Sequence, residues 1–280
     1  MQFSNAAGFV TGANRDLGPA HDDGRLAAAR HAFSTPERVA LSAAEEAALA
    51  AAAEAPLRHE GLELARWTLG VGPRVLLVHG WNSRGAHLLG FARPLVDAGF
   101  SVTLFDLPGH GDSTGHAASV VHAGRALRAL MADIGSVHGV IGHSMGSAAA
   151  LLAFAHGLPV KRSVHLAGPS SLTPMVKGIA RAQGLVPSDA AAFTGWVENF
   201  IGTRIANVDL ERLQHGLRHP GLIVHDTEDR IVPFAASQAL HAAWPGSHLE
   251  PLTGLGHRRL LADTDVIARS VAFIADGAST

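Results

Sequence analysis

Three side chains, set far apart in this chain, are of the types that together perform nucleophilic chemistry. The first is Ser144, at the centre of Gly142-His143-Ser144-Met145-Gly146. Apolar Val140-Ile141 leads into that pentapeptide and alanine-rich, helix-favouring sequence follows it. Strand, sharp turn and helix in that order is the setting in which the motif carries information. A serine hydroxyl is a poor nucleophile at neutral pH. It needs a base, a group to orient the base, and donors for the oxyanion. The base candidate is His257, in Gly254-Leu255-Gly256-His257-Arg258-Arg259. There are 18 histidines, but the glycine-rich setting sets this one above His110, His143, His225 and His248. The acid candidate is Asp229, in the stretch from His225 to Pro233. Asp226 in the same loop follows a strand directly and is open as a turn or cap residue. Asp229 lies deeper in the loop, before Ile231-Val232-Pro233, which should anchor it. The oxyanion donors should be the backbone amides of Met145 and of Trp81, which follows Val78-His79-Gly80.

The elements that must position these groups are legible as alternating strands and helices. Val75 to Val78 is a continuous apolar run, as expected of a strand buried on both faces. Further strands are expected at 102–105, 137–141, 163–166, 222–225 and 248–252. Helices are expected at 88–98, 118–134, 145–155 and 263–274. Arg58 to Glu60 and Leu62 to Leu69 read as a hairpin at a sheet edge. This alternation predicts an α/β fold, with a mostly parallel sheet of about eight strands and helices on both faces. The serine, acid and histidine then each follow a strand, at the end of the sheet where ligands bind in such folds.

Helical patterns near 173–183, 188–201 and 205–217 interrupt the alternation. They predict a helical cap over residues 169–219, inserted into a core of residues 56–168 and 220–280. Residues 1–55 form an N-terminal arm and helix: residues 1–30 show no period, and Ser42 to Glu45 reads as a capping box opening a helix to about Ala53. Phe193, Trp196 and Phe200 fall on one face of a cap helix. They are candidates for lining a substrate pocket, or for the cap's own packing.

Composition narrows the function classes. Hydrophobic residues make up 47% and charged residues 16% of the 280, which suits a globular enzyme. A formal net charge of −2 gives no electrostatic case for nucleic acid or an anionic membrane as partner. The absence of cysteine excludes thiolate metal sites and cysteine nucleophiles. Met1 to Val10 has neither a basic region nor an apolar core of a secretory signal. The apolar run Met145 to Leu158 is too short to span a bilayer. A cytoplasmic protein is the expectation. His110, Asp112 and His116 have metal-binding side chains, but no further ligands follow at metal-site spacing, so no metal is expected.

The order Ser144, Asp229, His257 resembles that of the α/β-hydrolase family. So do His79-Gly80-Trp81, the loop Asp106-Leu107-Pro108-Gly109-His110-Gly111-Asp112-Ser113, the pentapeptide around Ser144, Asp229 to Pro233, and Gly256-His257. The resemblance covers about residues 57–275. It implies a Ser-His-acid triad, no cofactor and a cap that shapes specificity. One departure is His225-Asp226 where the family often has His-Gly. The expected function is a serine hydrolase cleaving a carboxylic ester of a small or medium substrate through an acyl-enzyme on Ser144. Thioester, lactone, amide, carbon–carbon or perhydrolysis chemistry, or a slow ligand-binding role, are the alternatives. The expected partner is a small-molecule ester, with a homodimer left open.

Overall fold

The computed structural model describes residues 24–276. The described part begins with helices α1 (Arg25–Ser34) and α2 (Ala43–Leu49), then the short strands β1 (Ala53–Glu54), β2 (Leu57–His59), β3 (Leu62–Leu64) and β4 (Arg66–Leu69). The alternating part follows as β5 (Arg74–Val78), α3 (Leu89–Asp97), β6 (Ser101–Phe105), α4 (Val120–Ile134), β7 (Gly139–His143), α5 (Met145–Ala155) and β8 (Arg162–Leu166). Next come three helices, α6 (Leu172–Ala182), α7 (Pro187–Ile201) and α8 (Leu210–Leu213). The chain then returns to the sheet with β9 (Gly221–Asp226), α9 (Ala235–Ala243), β10 (Ser247–Leu252), α10 (Gly256–Arg259) and α11 (Thr264–Ala275).

Among the described residues, one sheet of eight strands runs in the order β1-β4-β6-β5-β7-β8-β9-β10, and β2 pairs with β3 apart from it. The pairs from β6 to β10 are parallel, while β4 joins β6, and β1 joins β4, antiparallel. Burial on both faces explains the apolar run in β5. Leu76 and Val78 pack in a layer with α4 and α5 residues such as Leu127 and Leu151. Val75 and Leu77 pack in the opposite layer with Phe91 of α3 and Ile274 of α11. The sheet therefore buries apolar surface on both sides, at roughly 25 cal/mol per Å².

The structure corrects several local expectations. Of the irregular arm expected over residues 1–30, the part up to residue 23 lies outside the described residues, and from Arg25 the chain is helical. The capping box at Ser42 and Glu45 forms, but its helix stops at Leu49, and Ala53–Glu54 extends the sheet instead. The stretch expected as one strand from Leu62 splits. β3 serves the hairpin and β4 the main sheet, and Ala65 between them bonds through its N–H to Ser113 Oγ (3.0 Å) and through its C=O to Asp106 N–H (2.9 Å). The helix expected at 205–217 is three short turns. α9 carries no apolar stripe in its sequence, burying only Ser237 and Leu240, and periodicity does not find it.

Candidate active site

The turn around Ser144 follows from sterics. β7 ends at His143 and α5 begins at Met145, so one residue must reverse the chain. That residue is Ser144, with φ 50° and ψ −119°, a region costly for a non-glycine residue. A Cβ at Gly146 would come within 2.1 Å of the Val78 carbonyl oxygen, and one at Gly142 within 2.8 Å of Ser147 Cα. Only glycine at both places lets strand and helix close on the turn. The Ser144 N–H donates to the Leu166 carbonyl (2.9 Å), fixing the apex to the neighbouring strand β8.

The three residues singled out by type and position converge. Ser144 Oγ lies 3.0 Å from His257 Nε2. His257 Nδ1 lies 2.6 Å from Asp229 Oδ2. A carboxylate can only accept, so Nδ1 carries the proton and Nε2 is left to accept the serine O–H. Asp229 Oδ1 accepts the N–H groups of Ile231 (2.7 Å) and Val232 (3.0 Å). Burial pushes the Asp229 carboxyl up, but the His257 hydrogen bond and these two amides outweigh it and hold it below the usual carboxylate range. The expected anchoring by Ile231-Val232-Pro233 comes about through amides: the Ile231 side chain is 70% exposed.

A second layer holds this pair in place. His225 Nε2 faces both the Val232 carbonyl (3.0 Å) and Asp229 Oδ2 (3.2 Å), so it donates, and Nδ1 accepts from Ser237 Oγ (2.6 Å). Asp226 does not meet the imidazole. Its Oδ2 accepts the N–H groups of Leu255 (2.6 Å) and Gly256 (2.9 Å), and its Oδ1 that of Glu228 (2.8 Å). His143 Nε2 donates to the backbone carbonyl of His257 (2.9 Å). Burial first, and then the adjacent His257, press the His143 pKa down to about 3, so it stays neutral. His143 and Asp226 escape a reading by motif because they bond to the distant loop that carries His257, and His225 because its bonds depend on how its own loop folds back. The one sequence signal was a carboxylate directly at a strand end.

On the other side of Ser144, Gly80 and Trp81 follow β5. His79 is buried, accepts the Leu107 N–H at Nε2 (2.9 Å) and donates from Nδ1 to the Gly80 carbonyl (2.8 Å). Burial, with His110 nearby, pushes its pKa well below the ordinary histidine value. The Met145 N–H stands at a helix start, where amides lack intrahelical partners. Among the described residues, no backbone bond outside the helices and strands uses the N–H of Met145 or Trp81.

Two further groups of residues singled out in the sequence find partners in the structure. Phe193, Trp196 and Phe200 surround Phe33 of α1, with edge-on ring centroids 6.2, 6.3 and 6.2 Å away. Phe193 is fully buried. Their aromatic face docks the N-terminal helix, so of the two alternatives raised by the sequence the contacts seen are those of packing. In the other, His110 Nδ1 is held by the Pro108 carbonyl (2.9 Å) and the Asp112 carboxylate by Arg84. A hollow of about 790 Å³ opens beside His257, lined by both loops, with Arg230, Arg258 and Glu228 among its walls. A larger one of about 970 Å³ lies along α4 and residues 156–161, away from Ser144.

A family model described as alpha/beta hydrolase fold matches residues 73–208. The chain is 28% identical over 235 residues to a 2-hydroxy-6-oxononadienedioate/2-hydroxy-6-oxononatrienedioate hydrolase of Cupriavidus pinatubonensis, covering 65% of this chain and 80% of that protein. A 46-residue stretch is 52% identical to a pimeloyl-[acyl-carrier protein] methyl ester esterase of Methylococcus capsulatus, 16% of this chain and only 18% of that one. Among solved structures, the Pyrococcus furiosus esterase Pf2001 superposes with a TM-score of 0.66 at 18% identity, covering 87% of this chain and 97% of that one. No helix among the described residues is long and apolar enough to cross a membrane. Strand order, family model and solved structures agree: this chain has the alpha/beta hydrolase fold.

Proposed function

We propose that the chain is a serine hydrolase acting on carboxylic esters of small or medium size. The observation that carries this reading is the hydrogen-bonded line from Ser144 Oγ through His257 to Asp229, at 3.0 and 2.6 Å. His257 Nε2 takes the hydroxyl proton as Ser144 Oγ attacks the ester carbonyl. Asp229 keeps the imidazole in the tautomer that can accept and offsets the charge it gains. The N–H groups of Met145 and Trp81 stabilise the oxyanion. The protonated imidazole then gives its proton to the departing alkoxide. Water, deprotonated by the same nitrogen, releases the acid from the acyl-enzyme and restores Ser144. Residues 169–219 serve as a cap over this end of the sheet, braced by α1.

Esters come first because two of the similar proteins, those of Methylococcus capsulatus and Pyrococcus furiosus, are esterases by name. The Cupriavidus relative, a hydrolase of an oxo-dienedioate, supports other hydrolytic chemistry at the same residues as the second reading. The deciding experiment incubates the purified chain with a fluorophosphonate and with p-nitrophenyl esters of graded chain length. Labelling of Ser144 with turnover of the short esters is expected. No labelling, or labelling elsewhere, overturns the proposal.

A further inference from the structure

We infer that Asp226 is a positioning residue: its carboxylate ties the loop bearing the acid to the loop bearing the histidine, and so sets the Asp229–His257 distance. This rests on the reading of Ser144, His257 and Asp229 given above. Asp226 is the last residue of β9 and is fully buried. One oxygen accepts the Glu228 N–H, one residue before Asp229, at 2.8 Å. The other accepts the N–H groups of Leu255 and Gly256, immediately before His257, at 2.6 and 2.9 Å. A single rigid group thus spans two loops that are 28 residues apart at the histidine–acid bond.

The histidine loop needs such a tie. Gly254 and Gly256 have φ 82° and 62°, so its backbone occupies a region that glycine reaches without strain and that leaves it intrinsically loose. Its other fixed point is the His143 bond to the His257 carbonyl at 2.9 Å. Asp226 and His143 together hold the backbone on both sides of the His257 Cα, and the imidazole has little freedom left but its own rotamer. Among the described residues no Lys or Arg pairs with Asp226: its charge is met by amides, a geometry that only an acceptor at this position can satisfy.

The test compares Asp226→Ala and Asp226→Asn with the parent in the full chain. Ester turnover, the rate of fluorophosphonate labelling and thermal stability are measured together. So is the downfield proton resonance of the His257 Nδ1–H bonded to Asp229. Asp226→Ala should lower kcat by roughly 10²-fold, the scale of a misplacement of about 1 Å. Its KM should stay within about twofold, because ground-state binding does not use this residue. The downfield resonance should broaden or vanish. Asp226→Asn keeps one carbonyl oxygen but sets an NH₂ against a backbone donor, so it should fall between the two, about tenfold down. It carries the test if the alanine variant does not fold. Retention of kcat within about twofold with an unchanged resonance in either folded variant overturns the inference. So does a loss seen wholly in KM. If the parent neither turns over esters nor labels at Ser144, the hydrolase reading fails separately, and the resonance still decides whether Asp226 sets the His257–Asp229 bond.

Discussion

Asp106 and Asp226 stand on opposite sides of β7, each at the carboxyl end of a strand two places from it in the sheet. Both are buried, and both gather amides from separate loops, yet they do so by different means. Asp106 accepts Gly85 N–H (2.7 Å) and Asp112 N–H (2.8 Å) and also faces the Arg84 guanidinium at 3.2 Å. Arg84 is itself only 2% exposed and donates to the Val39 carbonyl of the N-terminal segment at 3.0 Å. Among the described residues, Asp226 has hydrogen bonds from amides alone. Burial raises the Asp106 carboxyl, and the amides and Arg84 offset it only in part. For Asp226 burial also pulls upward, but the amides of Glu228, Gly256 and Leu255 prevail and its pKa is lowered. The β6 side of the site is thus assembled around a costly buried ion pair that ties in residues before the family match. The histidine side is assembled from backbone dipoles already aimed at the charge, with little reorganisation required. One clamp bears on stability, the other on alignment.

The largest effect sets the floor for this comparison. Ser144→Ala should cost on the order of 10⁴–10⁶ in kcat with thermal stability preserved or improved, since a strained polar apex is relieved of its hydroxyl only. Near-parental ester hydrolysis by the purified variant would remove the site from the argument altogether. Next, Asp229→Asn probes the histidine side at its centre. It should lower kcat by about 10⁴ by favouring the wrong imidazole tautomer, leaving the urea midpoint little changed. A drop of less than about tenfold would make Asp229 a structural residue like Asp106.

Arg84→Met probes the other clamp. It leaves Asp106 buried without its cation and should destabilise the fold by about 3–5 kcal/mol. Adding Asp106→Asn should recover a good part of that. Equal stability of parent and Arg84→Met in urea would show that both clamps rely on amides alone, and the contrast would collapse.

Taken per group and per pH unit, the smallest effects are those of pH. His110, at about 4, and His143 and His165, at about 3, are buried and neutral, each shifted chiefly by burial. An unfolded histidine titrates near 6.5, so below about pH 6.5 the unfolded chain takes up protons that the folded one refuses. Each should remove about 1.4 kcal/mol of stability per pH unit from there down toward its folded value. The two clamps then differ in sign. The lowered Asp226 and Asp229 contribute stability above about pH 3.9 that is lost as pH falls through their folded values. The raised Asp106 takes stability away as pH rises through its own. Urea midpoints measured from pH 7.5 down to 4.5 should fall steadily; a flat profile would mean that these histidines are hydrated in solution.

Much of the fold was legible because it depends on near neighbours. Continuous apolar runs such as Val75 to Val78 can only be buried on both faces, and the spacing of glycines around Ser144 admits only a tight reversal. α1 and α9 were not legible, since their faces are nearly featureless and packing alone selects them: Phe33 docks α1 through residues more than 150 positions away. The same distance effect left the aromatic stripe open between two readings. Phe193, Trp196 and Phe200 have the right periodicity for any apolar neighbour, and periodicity does not say whether that neighbour is a ligand or the chain's own terminus. The choice between Asp226 and Asp229 was open for a similar reason. They are three residues apart, chemically identical, and in one loop.

By itself the amino-acid order determined the strand–helix alternation, the strained serine turn, and which residue types stand at strand ends. Those properties follow from backbone sterics and hydrophobic period, which act over a few residues. Only the tertiary structure decided that Asp229 meets the imidazole while Asp226 meets the amides beside it, and that Phe33 packs on the aromatic face of α7. Hydrogen bonds discriminate between partners over fractions of an ångström, and that precision exists only once the packed sheet has brought distant loops into register.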